Sequence, residues 1–220
     1  MQPKIVFFDM DHTLLDLDCD VSWKEFLIDE GIAPVEECMD MERFFLEYQQ
    51  GCLNERDFLE FQLRQFRSRT PEEMRPLLER HFEQRALPRI YPQARAAVQE
   101  YRQRNTPVVL LTATNEAIAA PLAAHLEFDE MLATRLEILQ GRYSGAIVEP
   151  YCIGGRKIVY ARECCARRGI ELAEAAYFGD SINDVPVLEA VGLAVAVNPS
   201  DALAREANRR GWRIERWADC

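Results

Sequence analysis

The fold is decided by residues 5–15, IVFFDMDHTLL, where a short apolar run ends in two acids separated by one residue. Four apolar residues in unbroken succession are typical of a strand that is buried on both faces of a parallel sheet. Similar runs occur later in the chain, at residues 108–111, 175–178 and 193–197. Helix-like stretches alternate with them, at residues 92–104, 115–126, 156–168 and 184–190. This alternation predicts an α/β fold with a doubly wound parallel sheet.

The alternation is interrupted by residues 17–88, where aromatic and leucine side chains recur at or near helical spacing. They fall in three groups: Trp23, Phe26 and Leu27; Phe44, Phe45 and Tyr48; and Phe58, Phe61 and Phe66. We interpret them as the core of packed amphipathic helices. The segment is therefore predicted to be a helical cap domain over the strand ends, and residues 1–16 and 89–220 to form the α/β core domain.

Two smaller features complete the predicted architecture. Residues 132–148 have an extended pattern with a turn at 140–142, which predicts a β-hairpin appended to the core. Trp212 and Trp217 near the end of the chain indicate a tail packed on the sheet.

Bulk composition narrows the classes of function. The 220 residues are 48% hydrophobic, which suffices for a packed core. The net charge of -11 disfavours nucleic acid as a partner, because binding a phosphate backbone requires a basic face. No apolar window approaches the roughly 20 residues that span a bilayer. The first residues carry no basic leader followed by an apolar run. We therefore expect a soluble, cytoplasmic protein, as a monomer or homodimer.

The cysteines are predicted to be reduced thiols. There are seven, an odd number, without Cys-x-x-Cys or paired-histidine spacing that would indicate zinc. Their positions are 19, 38, 52, 152, 164, 165 and 220. Cys164 and Cys165 are adjacent on a predicted helix, so their side chains diverge and are poorly placed to form a disulfide.

Reactive residues follow the predicted strands at the edge where open α/β sheets bind ligands. Asp9 and Asp11 follow the first strand, Thr112 closes the second, and Asp180 and Asp184 follow the third. Lys157 begins the helix that leads into the third strand. Acids gathered at one edge repel each other unless a hard cation holds them together, and Mg²⁺ prefers such oxygen ligands.

Phosphoryl transfer explains why these residue types are needed together. Its transition state spreads negative charge over oxygens that Lys157 and a cation can neutralise and that the Thr112 hydroxyl can hydrogen-bond. Asp9, at the strand terminus, is the candidate nucleophile that forms an aspartyl-phosphate. Asp11 is the candidate acid that protonates the leaving oxygen and later activates water.

The stretch FDMDHTL, residues 8–14, resembles the D-x-D-x-T signature of the haloacid dehalogenase (HAD) superfamily. Thr112, Lys157 and the stretch GDSIND, residues 179–184, are similar to its other three motifs, in the expected order. The resemblance implies a Rossmann-like HAD core with an inserted C1-type helical cap. It implies a magnesium-dependent phosphomonoester hydrolase that acts on a small phosphorylated metabolite.

The resemblance also implies a role for each matching residue. Asp9 would be the nucleophile and Asp11 the acid and base. Mg²⁺ would be held by the Asp9 carboxylate, the Asp11 backbone carbonyl and Asp180, with support from Asp184. Phosphate would be held by Thr112, Ala113 and Lys157. The second acid, Asp11, argues against the dehalogenase branch, and the absence of membrane spans argues against the transport ATPases.

Within the superfamily the chain is most similar to subfamily IB, the phosphoserine-phosphatase-like group. Its second motif reads TATN, residues 112–115, where phosphoserine phosphatases usually have Ser-Gly-Gly. This motif and the residues after the first motif look more like bacterial proteins described as histidinol-phosphate phosphatases. The substrate-binding candidates are Asp18, Asp20, Trp23, Asn115 and Asn183.

The sequence is compatible with several classes of substrate. Asp16, Asp18 and Asp20 at the cap entry favour an amine-bearing ester such as histidinol phosphate, if one of them faces the pocket. Alternatively, Arg64, Arg67 and Arg69 bind a carboxylate or a second phosphate. Phosphoserine phosphatase activity at the same site is a further alternative. A phosphotransferase would use the same site, and a non-catalytic binding protein could share the fold. His12, His81 and His125 receive no role.

Overall fold

The computed structural model describes residues 2–49 and 54–218, and in this part of the chain seven strands form one sheet. The strands are β1 (Ile5–Phe8), β2 (Val108–Asn115), β3 (Glu130–Leu139), β4 (Arg142–Val148), β5 (Ala175–Gly179), β6 (Leu193–Val197) and β7 (Arg213–Glu215). Their order is β4-β3-β2-β1-β5-β6-β7, and every neighbouring pair is parallel except β3 with β4. The chain winds outward from β1 in both directions, which confirms the doubly wound prediction. Strand β1 therefore borders the point where the winding reverses, at which such sheets bind ligands.

The unbroken apolar run of β1 is explained by burial on both faces of the sheet. Val6 and Phe8 belong to one hydrophobic cluster, whereas Ile5 and Phe7 belong to another. Successive side chains of a strand point to opposite faces, so the two clusters are the two layers that cover the sheet. Strand β1 is thus packed on both faces of the sheet, so the residues that follow it are attached to a rigid strand.

Four α-helices follow β1 within residues 17–89. They are α1 (Cys19–Asp29), α2 (Glu37–Gln49), α3 (Glu55–Leu63) and α4 (Pro71–His81), followed by a π-helical turn (Phe82–Ala86) and a 3₁₀ turn (Leu87–Arg89). Asp18 caps α1 by accepting from the Val21 amide, and Thr70 caps α4 in a capping box with Glu73. The division of the chain into core and cap domains at residues 17 and 88 stays a prediction.

Most of the predicted aromatic core is present in the inserted helices. Trp23 packs on Phe26 and Phe66, with ring centroids 5.8 and 5.7 Å away, and Phe44 packs on Phe61 at 5.2 Å. The Trp23 group lies in the same hydrophobic cluster as Val6 and Phe8 of β1. The side chains of Phe45 and Tyr48 lie outside the described part of the structure.

A buried ion pair joins the inserted helices. Lys24 of α1 donates to Glu37 Oε2 of α2 at 3.0 Å, to the Phe61 carbonyl of α3 at 2.6 Å and to Gln65 Oε1 at 2.5 Å. Gln65 and Arg64 in turn donate to Glu37. Because every partner is hydrogen-bonded, the two charges are held at one geometry, which fixes how α1, α2 and α3 meet.

The remaining α-helices connect successive strands of the sheet along the chain. They are α5 (Pro92–Gln103), α6 (Glu116–His125), α7 (Lys157–Arg167), α8 (Val185–Leu188) and α9 (Asp201–Arg210). The predicted helix at 184–190 is shorter than expected, because a 3₁₀ turn (Ile182–Asp184) precedes a single α-helical turn. None of the described helices is both long enough and apolar enough to cross a bilayer.

The hairpin and the tail are present with modifications. The hairpin comprises β3 and β4, joined through Gln140 and Gly141, which both have positive φ as a two-residue hairpin turn requires. It is part of the main sheet rather than an appendage, because β3 pairs with β2. The tail forms the edge strand β7, and the Trp217 ring lies 6.2 Å from that of Phe178.

The described cysteines are all free thiols, namely Cys19, Cys38, Cys152, Cys164 and Cys165. Cys52 and Cys220 lie outside the described residues.

His81 is buried in the aromatic core and only 1% exposed. Its ring lies 5.4 Å from that of Trp23, and its Nε2 is 3.1 Å from the Ser22 hydroxyl. Burial, with a smaller effect from Arg85, lowers the His81 pKa from 6.5 to about 4. The folded protein therefore holds a neutral imidazole at pH values where the unfolded chain binds a proton.

We expect this histidine to make the protein less stable in acid. Its contribution is complete above pH 6.5 and is lost as the pH falls toward 4, by at most about 3 kcal/mol. Urea unfolding of wild type and His81→Gln at neutral pH and near the lowered pKa measures the effect. The loss should be smaller in His81→Gln, whereas His125→Gln, at an exposed histidine whose pKa is lowered less, should keep most of the wild-type loss. Equal losses in wild type and His81→Gln would contradict the assignment.

Candidate active site

The predicted acids meet at the carboxyl edge of the sheet. Asp9 directly follows β1, Asp180 directly follows β5, and Asp184 ends the 3₁₀ turn after it. Each of these three offers a carboxylate oxygen, and the three oxygens lie within 4.8 Å of one another. The topology thus brings three of the four predicted acids together, namely Asp9, Asp180 and Asp184.

Lys157 lies at the centre of this cluster. Its Nζ is 2.9 Å from Asp9 Oδ1 and 2.9 Å from Asp184 Oδ1, and the residue is only 4% exposed. Burial alone would lower the pKa of Lys157, but Asp184 and Asp9 outweigh it and raise that pKa above its ordinary value. The side chain is therefore a fixed cation beside Asp9.

One lysine does not balance the negative charge at this edge. Burial raises the pKa of Asp9 to about 7, where Lys157 opposes the rise and Asp184 and Asp11 add to it. Burial, Asp184 and Asp9 likewise raise the pKa of Asp180 well above its usual range. Crowded carboxylates with only oxygen atoms to offer are the donor set that a hard divalent cation prefers. The residues present thus fit a divalent metal, with Asp9 and Asp180 as the donors that line the cavity described below.

Asp184 is fully buried, and both of its carboxylate oxygens accept hydrogen bonds from other protein groups. Its Oδ1 accepts from Lys157 and from the Tyr177 hydroxyl at 2.7 Å, and its Oδ2 accepts from the Ser181 amide at 3.2 Å. A Cβ at Gly179 would lie 2.6 Å from Asp184 Oδ2, so only glycine fits at that position. Asp184 therefore positions Lys157. Tyr177 was missed in the sequence because it lies within the apolar run of β5.

Asp11 is held by two donors at the edge of the same site. Its Oδ1 accepts from the Cys19 amide at 2.9 Å, and its Oδ2 accepts from the Thr114 hydroxyl at 2.6 Å. These bonds fix the carboxyl group while Asp11 still lines the cavity described below. Thr114 was missed as a site residue, although it lies two residues beyond Thr112 and so on the same face of β2.

The second motif differs in detail from its prediction. Strand β2 does not end at Thr112 but continues to Asn115, with a shift in its pairing to β3 between Leu111 and Asn115. Such irregularities re-aim side chains and are common beside active sites. Ala113 and Lys157 line the cavity, whereas Thr112 is fully buried and its hydroxyl accepts from the Thr114 amide at 3.1 Å. Binding of phosphate by Thr112 stays a prediction.

A cavity of about 290 Å³ lies over the acids, between the sheet edge and the inserted helices. Its far wall is apolar and aromatic, formed by Val21, Met41, Phe44, Phe58 and Phe61. Lys157 is the only lysine or arginine among the described residues that line it. The segments that the structure leaves undescribed contain neither residue type.

Three of the five predicted substrate contacts line the cavity, namely Asp18, Asp20 and Asn183. The other two, Trp23 and Asn115, do not line this cavity, and their contact with substrate stays a prediction. Trp23 is fully buried in the aromatic core of the inserted helices. Asn115 caps α6 by accepting from the Ala117 and Ile118 amides, each at 3.2 Å, and lines a smaller recess next to this cavity.

The arginines proposed to bind a carboxylate do not line the cavity either. Arg64 pairs with Glu37 at 2.9 Å, and neither Arg67 nor Arg69 is among the described lining residues. His12 lines the cavity with an exposed side chain and a positive φ of 55°.

Comparison with known proteins connects this geometry to a family. The model of the haloacid dehalogenase-like hydrolases matches residues 6–189. A histidinol-phosphatase of Neisseria meningitidis is 31% identical over 215 residues, which cover 96% of this chain and 97% of that protein. A phosphoserine phosphatase of Mycobacterium tuberculosis is 33% identical over 146 residues, 66% of this chain but only 47% of that protein.

Solved structures show the same fold. A protein of unknown function from Bordetella pertussis superposes with a TM-score of 0.90 and 32% identity, covering 98% of this chain and 99% of that one. A substrate-bound phosphoserine phosphatase superposes with a TM-score of 0.69 and 18% identity, covering 98% and 93%. At that identity the second likeness concerns the fold alone.

Replacing Asp180 should separate charge repulsion from cation binding. Without metal, Asp180→Asn is expected to melt at a higher temperature than wild type, because one crowded carboxylate loses its charge. Mg²⁺ at 100 times its dissociation constant should raise the melting temperature of wild type by roughly 5 to 10 °C, and that of the variant far less. Calorimetry with and without Mg²⁺ measures both.

The matched control is Asp201→Asn, at an exposed acid in the first turn of α9, which should respond to Mg²⁺ as wild type does. A wild-type melting temperature that is indifferent to Mg²⁺ would contradict the metal site.

Proposed function

The chain belongs to the haloacid dehalogenase-like hydrolase family and is a phosphomonoester hydrolase, and we propose that it works through an aspartyl-phosphate on Asp9 with Mg²⁺ as cofactor. The observation that carries the proposal is the buried pair of Asp9 and Lys157, 2.9 Å apart beside Asp180, on the floor of a cavity. A carboxylate at a strand end next to a fixed cation is suited to meet a phosphate.

In the first step an Asp9 carboxylate oxygen attacks phosphorus, and the bond between phosphorus and the leaving oxygen breaks. Asp11 donates its proton to that oxygen, so an alcohol leaves. Lys157, which touches Asp9, stabilises the negative charge on the transferring group. The Thr114 hydroxyl and the Cys19 amide keep Asp11 oriented for the transfer.

In the second step water attacks the phosphorus of the aspartyl-phosphate. Asp11, now a carboxylate, takes a proton from that water, and the bond between phosphorus and Asp9 breaks. Inorganic phosphate leaves, and Asp9 is again a carboxylate beside Lys157. One acid thus serves both half-reactions.

Asp9 and Asp180 would hold the metal, with the Asp11 backbone carbonyl as the ligand that the family resemblance adds. When bound, Mg²⁺ would neutralise charge on the phosphate oxygens. Asp184 acts on Lys157 instead, because its oxygens are taken by Lys157, Tyr177 and Ser181.

We further propose an amine-bearing substrate without a carboxylate, such as histidinol phosphate. Asp18 and Asp20 place two carboxyl groups on the α1 side of the cavity, where burial raises their pKa values and a substrate ammonium would favour their ionised forms. The Neisseria histidinol-phosphatase, similar along nearly the whole chain, supports this choice.

Phosphoserine is the second candidate, favoured by the Mycobacterium relative. Its carboxylate needs a cationic partner, since a buried charge without one is costly. Lys157 is engaged by Asp9 and Asp184, and no described lining residue offers another lysine or arginine. The composition of the cavity therefore disfavours phosphoserine.

A panel of phosphate esters with Mg²⁺ tests the function. We expect free phosphate from histidinol phosphate, with kcat/KM at least about tenfold above that for phosphoserine, the effect of roughly 1.4 kcal/mol. Asp9→Asn should fold as wild type and release no phosphate. Transfer of the phosphoryl group to an added alcohol in place of water would identify a phosphotransferase. Undiminished turnover by Asp9→Asn would overturn the mechanism.

A further inference from the structure

Gln62 lines the cavity from α3, and the proposed mechanism gives it no task. It is only 5% exposed, and its Oε1 is shut off from solvent and has no hydrogen-bond partner. Trp23 Nε1 is also buried without a partner, but it lies in the aromatic core away from the cavity. Gln62 thus combines an unused acceptor with a place in a ligand cavity.

An unused buried acceptor destabilises the folded protein, because the group has lost its hydrogen bonds to water without replacement. The neighbouring Gln65 shows the usual solution, because its Oε1 accepts from Lys24 and its Nε2 donates to Glu37. The last torsion of a glutamine is broad, so the Gln62 amide can turn either end to an incoming group. A ligand with a suitable donor would restore the missing bond.

The surroundings of Gln62 indicate what kind of donor fits. Gln62 and Asp20 both line the main cavity and a smaller recess next to it, so they border the same space. The Asp20 carboxylate accepts no hydrogen bond from the described residues, whereas Asp18 accepts from the Val21 amide at 3.0 Å. Phe58 lines both spaces too, and Phe61 and Phe44 continue the aromatic wall. Two acceptors beside aromatic rings suit an N–H group on a flat ring.

We propose that Gln62 is a specificity-determining residue that, with Asp20, binds an N–H donor on a nitrogen heterocycle of the leaving alcohol. The inference rests on the proposed function and deepens it: the substrate would be a phosphate ester of an amino alcohol that carries such a ring. The amine is attracted by Asp18, while the ring N–H donates to Gln62 and Asp20.

Gln62→Met tests the inference, because methionine has similar length and no hydrogen-bonding amide. Three esters serve as probes: histidinol phosphate, with amine and imidazole; phosphoethanolamine, with the amine alone; and p-nitrophenyl phosphate, with neither. Gln62→Met should raise KM for histidinol phosphate roughly tenfold, with kcat little changed, and leave both KM values for the other esters as in wild type. Gln99→Met, at an exposed glutamine of α5, is the matched control.

A second readout distinguishes ligand recognition from a purely structural role. Since Gln62→Met removes an unpartnered polar group, the ligand-free variant should melt at a higher temperature than wild type. A residue that only supports the fold would lower the melting temperature and affect all three esters alike.

The inference fails if wild type prefers histidinol phosphate no more than phosphoethanolamine, or if Gln62→Met keeps that preference. Either result leaves the proposed function intact when phosphate is still released from p-nitrophenyl phosphate and Asp9→Asn abolishes it. Failure of the proposed function has a different signature, namely no Asp9-dependent release from any of the three esters.

Discussion

The ammonium group of Lys157, shared between Asp9 and Asp184, is the interaction on which the site depends. It brings together the end of β1, the turn after β5 and the start of α7, and it offsets part of the repulsion among acids that would otherwise separate. Tyr177 and Ser181 hold Asp184, so the lysine is fixed before any ligand arrives. Preorganised charge of this kind costs nothing to rearrange during the reaction.

The rest of the fold determines where the Lys157 ammonium group lies. Strand β1 lies at the centre of the sheet with one hydrophobic cluster on each face, and the inserted helices share one of those clusters. They close over the acids with an aromatic wall, and the Lys24–Glu37 pair fixes how they meet. The residues proposed to carry out phosphoryl transfer thus lie at the rigid sheet edge, whereas those proposed to bind the leaving alcohol lie in the inserted helices.

Local pattern was enough to predict the strands and the four motifs, because buried parallel strands are unbroken apolar runs and reactive residues follow their ends. Contacts between elements that are distant in the sequence could not be predicted from local pattern. Thr114 reaches Asp11 across the sheet, and Tyr177 is hidden in an apolar run. The burial of Trp23 in the aromatic core and the capping of α6 by Asn115 could not be predicted either, because the local sequence does not distinguish these roles from ligand binding.

The central claim, that Asp9 becomes phosphorylated, is tested most directly by trapping the acyl phosphate. Wild type is mixed with histidinol phosphate and Mg²⁺, quenched in acid during turnover and treated with borohydride, which reduces an aspartyl-phosphate to homoserine. Peptide mass spectrometry then locates the reduced residue. The account predicts homoserine at position 9, only when substrate is present and never in Asp9→Asn. Reduction at another residue, or none at all while phosphate is being released, would contradict it.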